Sequence, residues 1–212
     1  LIIHTCRRLG IEVVIESGRA RGQSTAMLSK YLPEAVIHSV EMREDADARI
    51  GRARCATLSN VILHQGNGSF EVPRLAGEVA PKRTAILCDG PKGAAAVSII
   101  AHCFERWPHV CVGFIHDMRR LDHGAPSPHR AAAVARFPNA KFSDDPKLLA
   151  RKSASTVACC RLWKSVQRSR PTRTPDIPRS TSTTSLSLPR TRKRTLQPVT
   201  TKAATVVVRP RA

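Results

Sequence analysis

Two aspartates close apolar runs in this chain. Asp89 follows 84–88 (TAILC) and opens Asp89-Gly90-Pro91-Lys92-Gly93. Asp117 follows 110–116 (VCVGFIH), directly after His116. If these runs are neighbouring strands of one parallel sheet, both carboxylates point at the same crevice. Two carboxylates placed so can hold a hard divalent cation such as Mg²⁺. His116 suits either a general base or a structural hydrogen-bonder. Lys92 is either a solvated charge or the neutraliser of a substrate anion. Asp89 also suits a plain turn in its Asp-Gly-Pro loop; we expect it to face a ligand pocket.

A second group lies upstream. The segment Glu16-Ser-Gly18-Arg-Ala20-Arg-Gly22-Gln-Ser24-Thr25 places small residues at every second position after an apolar run. Such residues let a backbone pass close to a ligand, and Ser24 and Thr25 then open a helix whose amino end favours polar or anionic groups. A dinucleotide fingerprint is excluded, because the GxGxxG spacing from Gly18 meets Ala20 and Gln23. The next strand ends at Glu41, an acceptor suited to paired ribose hydroxyls. Gln65-Gly66-Asn67 follows the third strand.

These residues need a frame. Strands are predicted over 11–16, 36–41, 61–64, 84–88 and 110–116, each a short apolar, β-branched run. Helices are predicted over 23–32, closed by Pro33, and over 43–58, 69–79 and 93–106, with a further one over 129–137 and a last strand over 156–163. Regular alternation implies an α/β fold: a Rossmann-like, doubly wound, mostly parallel sheet with helices on both faces. In such a sheet, ligands bind at the carboxyl ends of the strands. The glycine turn, Glu41, Asn67, Asp89 and Asp117 all fall there.

The chain has 212 residues and a net charge of +19. Residues 164–212 carry 12 Lys and Arg against the single acid Asp176, and have neither glycine nor aromatic residues. Such a segment cannot bury enough apolar surface to offset its ordering entropy. We therefore expect one domain over 1–163 and a disordered basic Ser/Thr/Pro/Arg-rich tail over 164–212. The cluster 190–194 (RTRKR) gives the tail a means of binding nucleic acid phosphates; a solvated extension without a partner is slightly favoured. No apolar run reaches membrane-spanning length. Seven scattered cysteines without a CxxC pair suit buried thiols in a reducing compartment, so a cytoplasmic location is expected.

The stretch from about 11 to 163 resembles class I methyltransferases that use S-adenosylmethionine. Glu16, Gly18 and Gly22 match their E-x-G-x-G-x-G first motif, with Ala20 in place of the middle glycine. Asp-Gly-Pro-Lys-Gly at 89–93 with His-Asp-Met at 116–118 resembles the metal-dependent O-methyltransferase branch, including the cephalosporin hydroxylase-like group. The resemblance implies a cofactor held by Glu16, Gly18, Ala20, Gly22, Ser24, Glu41 and Asn67. It implies catalysis by Asp89, His116 and Asp117, with Mg²⁺ on Asp89 and Asp117. Met118 stands where that branch usually has a third ligand, Asn, and Asn67 stands where Asp is frequent. The expected reaction is methyl transfer to a small hydroxylated or glycan-like molecule. A degenerate binding or scaffolding protein is the alternative, and a nucleic-acid methyltransferase using the tail comes third.

Overall fold

A computed structural model describes residues 1–118, 128–142 and 204–208. By packing, the chain divides into Leu1–Leu149 with Lys202–Ala212, and Ala150–Thr201. The second unit lies outside the described residues, as do the strand expected over 156–163 and the boundary expected near 164.

The first unit is built on a seven-stranded sheet. In chain order its elements are α1 (Ile2–Arg8), β1 (Val13–Ser17), α2 (Gln23–Tyr31), β2 (Val36–Glu41), α3 (Ala46–Cys55), β3 (Val61–Gln65) and α4 (Gly68–Glu78). Then come β4 (Thr84–Cys88), α5 (Ala94–Arg106), β5 (Val110–His116), α6 (Pro128–Arg136), β6 (Lys141–Phe142) and β7 (Ala204–Val208). The strand order is β3-β2-β1-β4-β5-β7-β6. The first five strands run parallel, and β7 runs antiparallel to both β5 and β6. The sheet is therefore doubly wound, and the order reverses between β1 and β4. A crevice opens there at the carboxyl ends of the strands.

Alternation along the strands feeds two cores. Val13 and Ile15 of β1 and Ile86 and Cys88 of β4 pack with α4, α5 and α6. Val14, Ile37, Ala85 and Leu87 face the other way, onto α1 and α2. The central strands are buried on both faces, which explains their unbroken apolar runs. In β5 the register slips by one residue opposite Thr84/Ala85. That bulge lets Val110 and Ile115, an odd number apart, reach the same core. Cys6, Cys55, Cys88 and Cys103 are buried free thiols, and burial pushes Cys88 and Cys103 up to about 12. They serve as small hydrophobes.

Three elements depart from the sequence reading: α1, the short strand β6 (Lys141–Phe142) and β7. The segment Ile2–Arg8 is helical, although no helix is expected before the first strand. Within the stretch expected to be disordered to its end, Ala204–Val208 (ATVVV) forms β7. The reason is local composition: a β-branched run suits a pleated backbone, and the free edge of β5 supplies its hydrogen-bond partners. The expectation of disorder is corrected for these five residues.

Candidate functional site

The two groups read from the sequence meet at the switch point. The backbone N–H groups of Asp89 and Gly90 donate to Ser17 O at 2.8 and 2.9 Å, and Gly18 N donates to Val40 O at 3.0 Å. The Ser17 hydroxyl donates to Gly90 O. Gly18 has φ 96°, and a Cβ there would lie 2.6 Å from Gly90 N. Glycine at 18 is thus demanded by the approach of the Asp89-Gly90 loop. Gly22 is demanded by α3, since a Cβ would come within 3.0 Å of Gly51 O and Cys55 Sγ. Ala20, between them, is exposed and holds φ 44°. The small residues at 18 and 22 let protein segments close on one another.

Glu16 is fully buried. Thr25 and Ser39 hydroxyls both donate to its Oε2, Ser39 at 2.7 Å. Its Oε1 is equally buried and has no hydrogen-bond partner. Burial raises its pKa, and the hydroxyls of Ser24, Thr25 and Ser39 oppose that rise. Ser24 itself is half-buried in the first turn of α2. Next to this carboxyl lies a buried guanidinium, Arg19, 3% exposed. Its Nη1 donates to Ser39 O at 2.7 Å. Desolvation lowers its pKa, while the charges of Glu41 and Glu16 raise it. The charges of Glu41 and Glu16 thus partly offset the cost of burying Arg19.

Glu41 is 7% exposed. Its two oxygens accept backbone N–H groups of Ala20 at 2.7 Å and Arg43 at 3.0 Å. Each carboxylate oxygen can accept a second bond, so acceptor capacity remains for a ribose diol. Asn67 is exposed and caps α4, its side-chain oxygen accepting Ser69 N at 2.9 Å. Its structural use is therefore a helix cap. Phe70, one turn further on, is 74% exposed. Of these residues, Glu41 keeps the acceptor capacity that a nucleoside's ribose hydroxyls would need.

At the ends of β4 and β5, Asp89, His116 and Asp117 come together. Their ligand atoms lie within 4.8 Å of one another, a grouping found among the described residues. His116 Nδ1 lies 2.9 Å from Asp89 Oδ1 and 3.3 Å from Asp117 Oδ1. Lys92 Nζ donates to Asp89 Oδ1 and, at 2.9 Å, to Asp117 Oδ2. Burial alone would raise the pKa of Asp89, but the hydrogen bonds from His116 and Lys92 hold it below the usual carboxylate range. Burial would lower Lys92, and the same two aspartates raise it instead. Both partners therefore favour the ion pair. Asp117 holds φ 62°, which costs a non-glycine residue about 1 kcal/mol or more. Such strain at a cluster of charges is typical of functional positions.

The donor set is chemically suited to a divalent metal, but the place between the two carboxylates is taken by the Lys92 ammonium. Met118 is 1% exposed in the core and adds only a thioether. The metal set expected from the sequence is gathered, with the Lys92 ammonium in contact with both of its carboxylates.

Sequence reasoning missed Arg19 and Ser39. Ser39 is a hydroxyl inside the otherwise apolar strand β2, a readable signal of a buried polar partner. Arg19 and Arg21 look alike in sequence, yet Arg21 pairs with Asp47 at the surface while Arg19 is buried.

Among solved structures, the chain is similar to an O-methyltransferase from Bacillus cereus in complex with SAH, at 16% identity over 67% of this chain and 70% of that one, TM-score 0.49. It is also similar to Aeropyrum pernix fibrillarin with natively bound S-adenosyl-L-methionine, at 15% identity over 64% and 61%, TM-score 0.48. A fibrillarin/Nop5p complex is similar at 17% identity over 51% of each chain, TM-score 0.40, so the chain spans about half of that relative's length. No family model matches the sequence, and no curated protein matches it. Its own strand order and two-sided helix packing make the chain a doubly wound, Rossmann-like α/β fold.

Proposed function

We propose that this chain binds S-adenosylmethionine across the carboxyl ends of β1, β2 and β3 and methylates a small hydroxylated molecule at the ends of β4 and β5. The observation that carries this reading is the hydrogen-bonded junction of the two groups: Asp89 and Gly90 dock on Ser17 at the point where strand order reverses. Glu16, Arg19 and Ser39 form a buried polar floor, and Glu41 offers acceptors to the ribose hydroxyls. Gly18, Ala20, Gly22 and Ser24 shape the turn above that floor, and Asn67 fixes the start of α4 beside it. The cofactor supplies an electrophilic methyl group.

The chain's part in the chemistry is to hold the acceptor and take its proton. His116 Nδ1 faces Asp89 Oδ1 at 2.9 Å, which favours the tautomer protonated at Nδ1 and leaves Nε2 as the proton-accepting atom. An imidazole oriented by a carboxylate is the usual form of a general base. Lys92 steadies the negative charge of Asp89 and Asp117. No helix among the described residues is long and apolar enough to cross a membrane.

Calorimetric titration with S-adenosylmethionine tests the cofactor half. Wild-type protein is expected to bind, and Glu41→Ala to weaken binding by about tenfold or more, the value of one or two charge-assisted hydrogen bonds. A folded wild-type protein that takes up no cofactor overturns the proposal and leaves a scaffold built on the same fold.

A further inference from the structure

The cation position between the acids of β4 and β5 is supplied from within the chain. Lys92 Nζ reaches both carboxylates, Asp89 three residues before it and Asp117 on the next strand. A divalent ion shared by these acids needs ligand oxygens about 2.1–2.5 Å from its centre, in the space the ammonium holds. The tether between Asp89 and Lys92 is only three residues long, so the local concentration of ammonium far exceeds that of any free ion. Of the remaining donors, His116 Nδ1 already lies at hydrogen-bond distance from Asp89 Oδ1. Met118 offers soft sulfur, poorly matched to a hard cation.

We propose that the Lys92 ammonium is the resident cation of the Asp89–His116–Asp117 cluster, so that the cluster binds no divalent metal and one of its two carboxylate charges is offset by the chain itself. The chemistry performed there rests on the methyl-transfer reading; the occupancy of the cation position does not. Lys92 then has two consequences. It holds Asp89 charged and both carboxylates in place, and it makes the centre indifferent to chelators.

The test is a Mn²⁺ titration of the full chain, read from the paramagnetic signal of the free ion. Wild type, Lys92→Met and the Asp89→Asn/Lys92→Met double variant are compared. Wild type is expected to leave Mn²⁺ free, Lys92→Met to take up one equivalent at least about tenfold more tightly, and the double variant to lose it again. Lys92→Gln serves as a second single variant should Lys92→Met fail to fold; half-exposure of the Lys92 side chain favours tolerance of both changes. One saturable equivalent on wild type overturns the inference. So does absence of uptake by both single variants, because Lys92 is then not what excludes the metal. A parallel S-adenosylmethionine titration reads the proposed function separately: cofactor binding can fail while the Mn²⁺ pattern holds, and the reverse.

Discussion

Glu16 and Asp89 close neighbouring strands, joined by hydrogen bonds through Ser17 and Gly90, yet their surroundings push proton affinity in opposite directions. Glu16 is sealed among Thr25, Ser39 and apolar strand residues, and desolvation outweighs its hydrogen bonds. Asp89 is also partly desolvated, but Lys92 and His116 donate to it and reverse the sign. Paired carboxylates driven apart in this way divide roles between them. Glu16 is a structural acceptor under the cofactor turn, whereas Asp89 stays charged at the edge of the crevice. Burial sets the first role and nearby donors set the second.

The largest expected effect breaks the junction itself. Gly18→Val places a branched side chain against the backbone of Gly90 at a left-handed φ, and should cost about 3 kcal/mol or more of stability. Denaturant unfolding measures it, and a loss below about 1 kcal/mol would show that the two strand ends are not packed as described. Glu16→Ala comes next. It strands the hydroxyls of Thr25 and Ser39 and leaves Arg19 under-compensated, for about 2–4 kcal/mol.

The pH dependence separates the two carboxylates more finely. Glu16 keeps its proton in the folded state to a higher pH than in the unfolded chain. Its contribution therefore lowers stability progressively as pH rises from about 4.3 toward its folded value. Glu16→Gln should remove that slope. Asp89 behaves oppositely: its stabilisation is present above about 3.9 and is lost as pH falls through its depressed folded value. Unfolding curves for Glu16→Gln and Asp89→Asn that show the same slope would abolish the contrast.

The smallest expected change in stability is that of Asp89→Asn, under about 1 kcal/mol, because the pair is part-exposed and screened. Its turnover is nevertheless expected to fall by about 100-fold or more while cofactor affinity stays near wild type. Equal losses of stability and turnover would place Asp89 in the scaffold alongside Glu16.

Much of the frame is legible along the chain. Five strands, the helices between them and the acids at strand ends follow from apolar runs and their breakers, which are local signals. Ser17 and Gly90, by contrast, are 73 residues apart in the chain, and only their contact shows why glycine stands at 18. Asn67 illustrates a residue with two readings, a ligand contact or a helix cap. The local backbone selects the cap, because Ser69 N has no helical acceptor of its own. The tail shows composition misleading in one place: five β-branched and small residues at 204–208 pair with β5, whatever the charge around them.

The sequence by itself determined the α/β class, the cluster of acids at the carboxyl ends of strands and the two aspartates that close β4 and β5. Periodicity and turn chemistry are short-ranged, so they can be read along the chain. Tertiary structure alone decided that Arg19 is buried and Arg21 exposed, and that Gly18 faces the Gly90 backbone. It also decided that Lys92 sits between two carboxylates, one three residues before it and the other 25 residues after it. Desolvation and charge pairing depend on which distant groups meet, and a linear pattern does not carry that information.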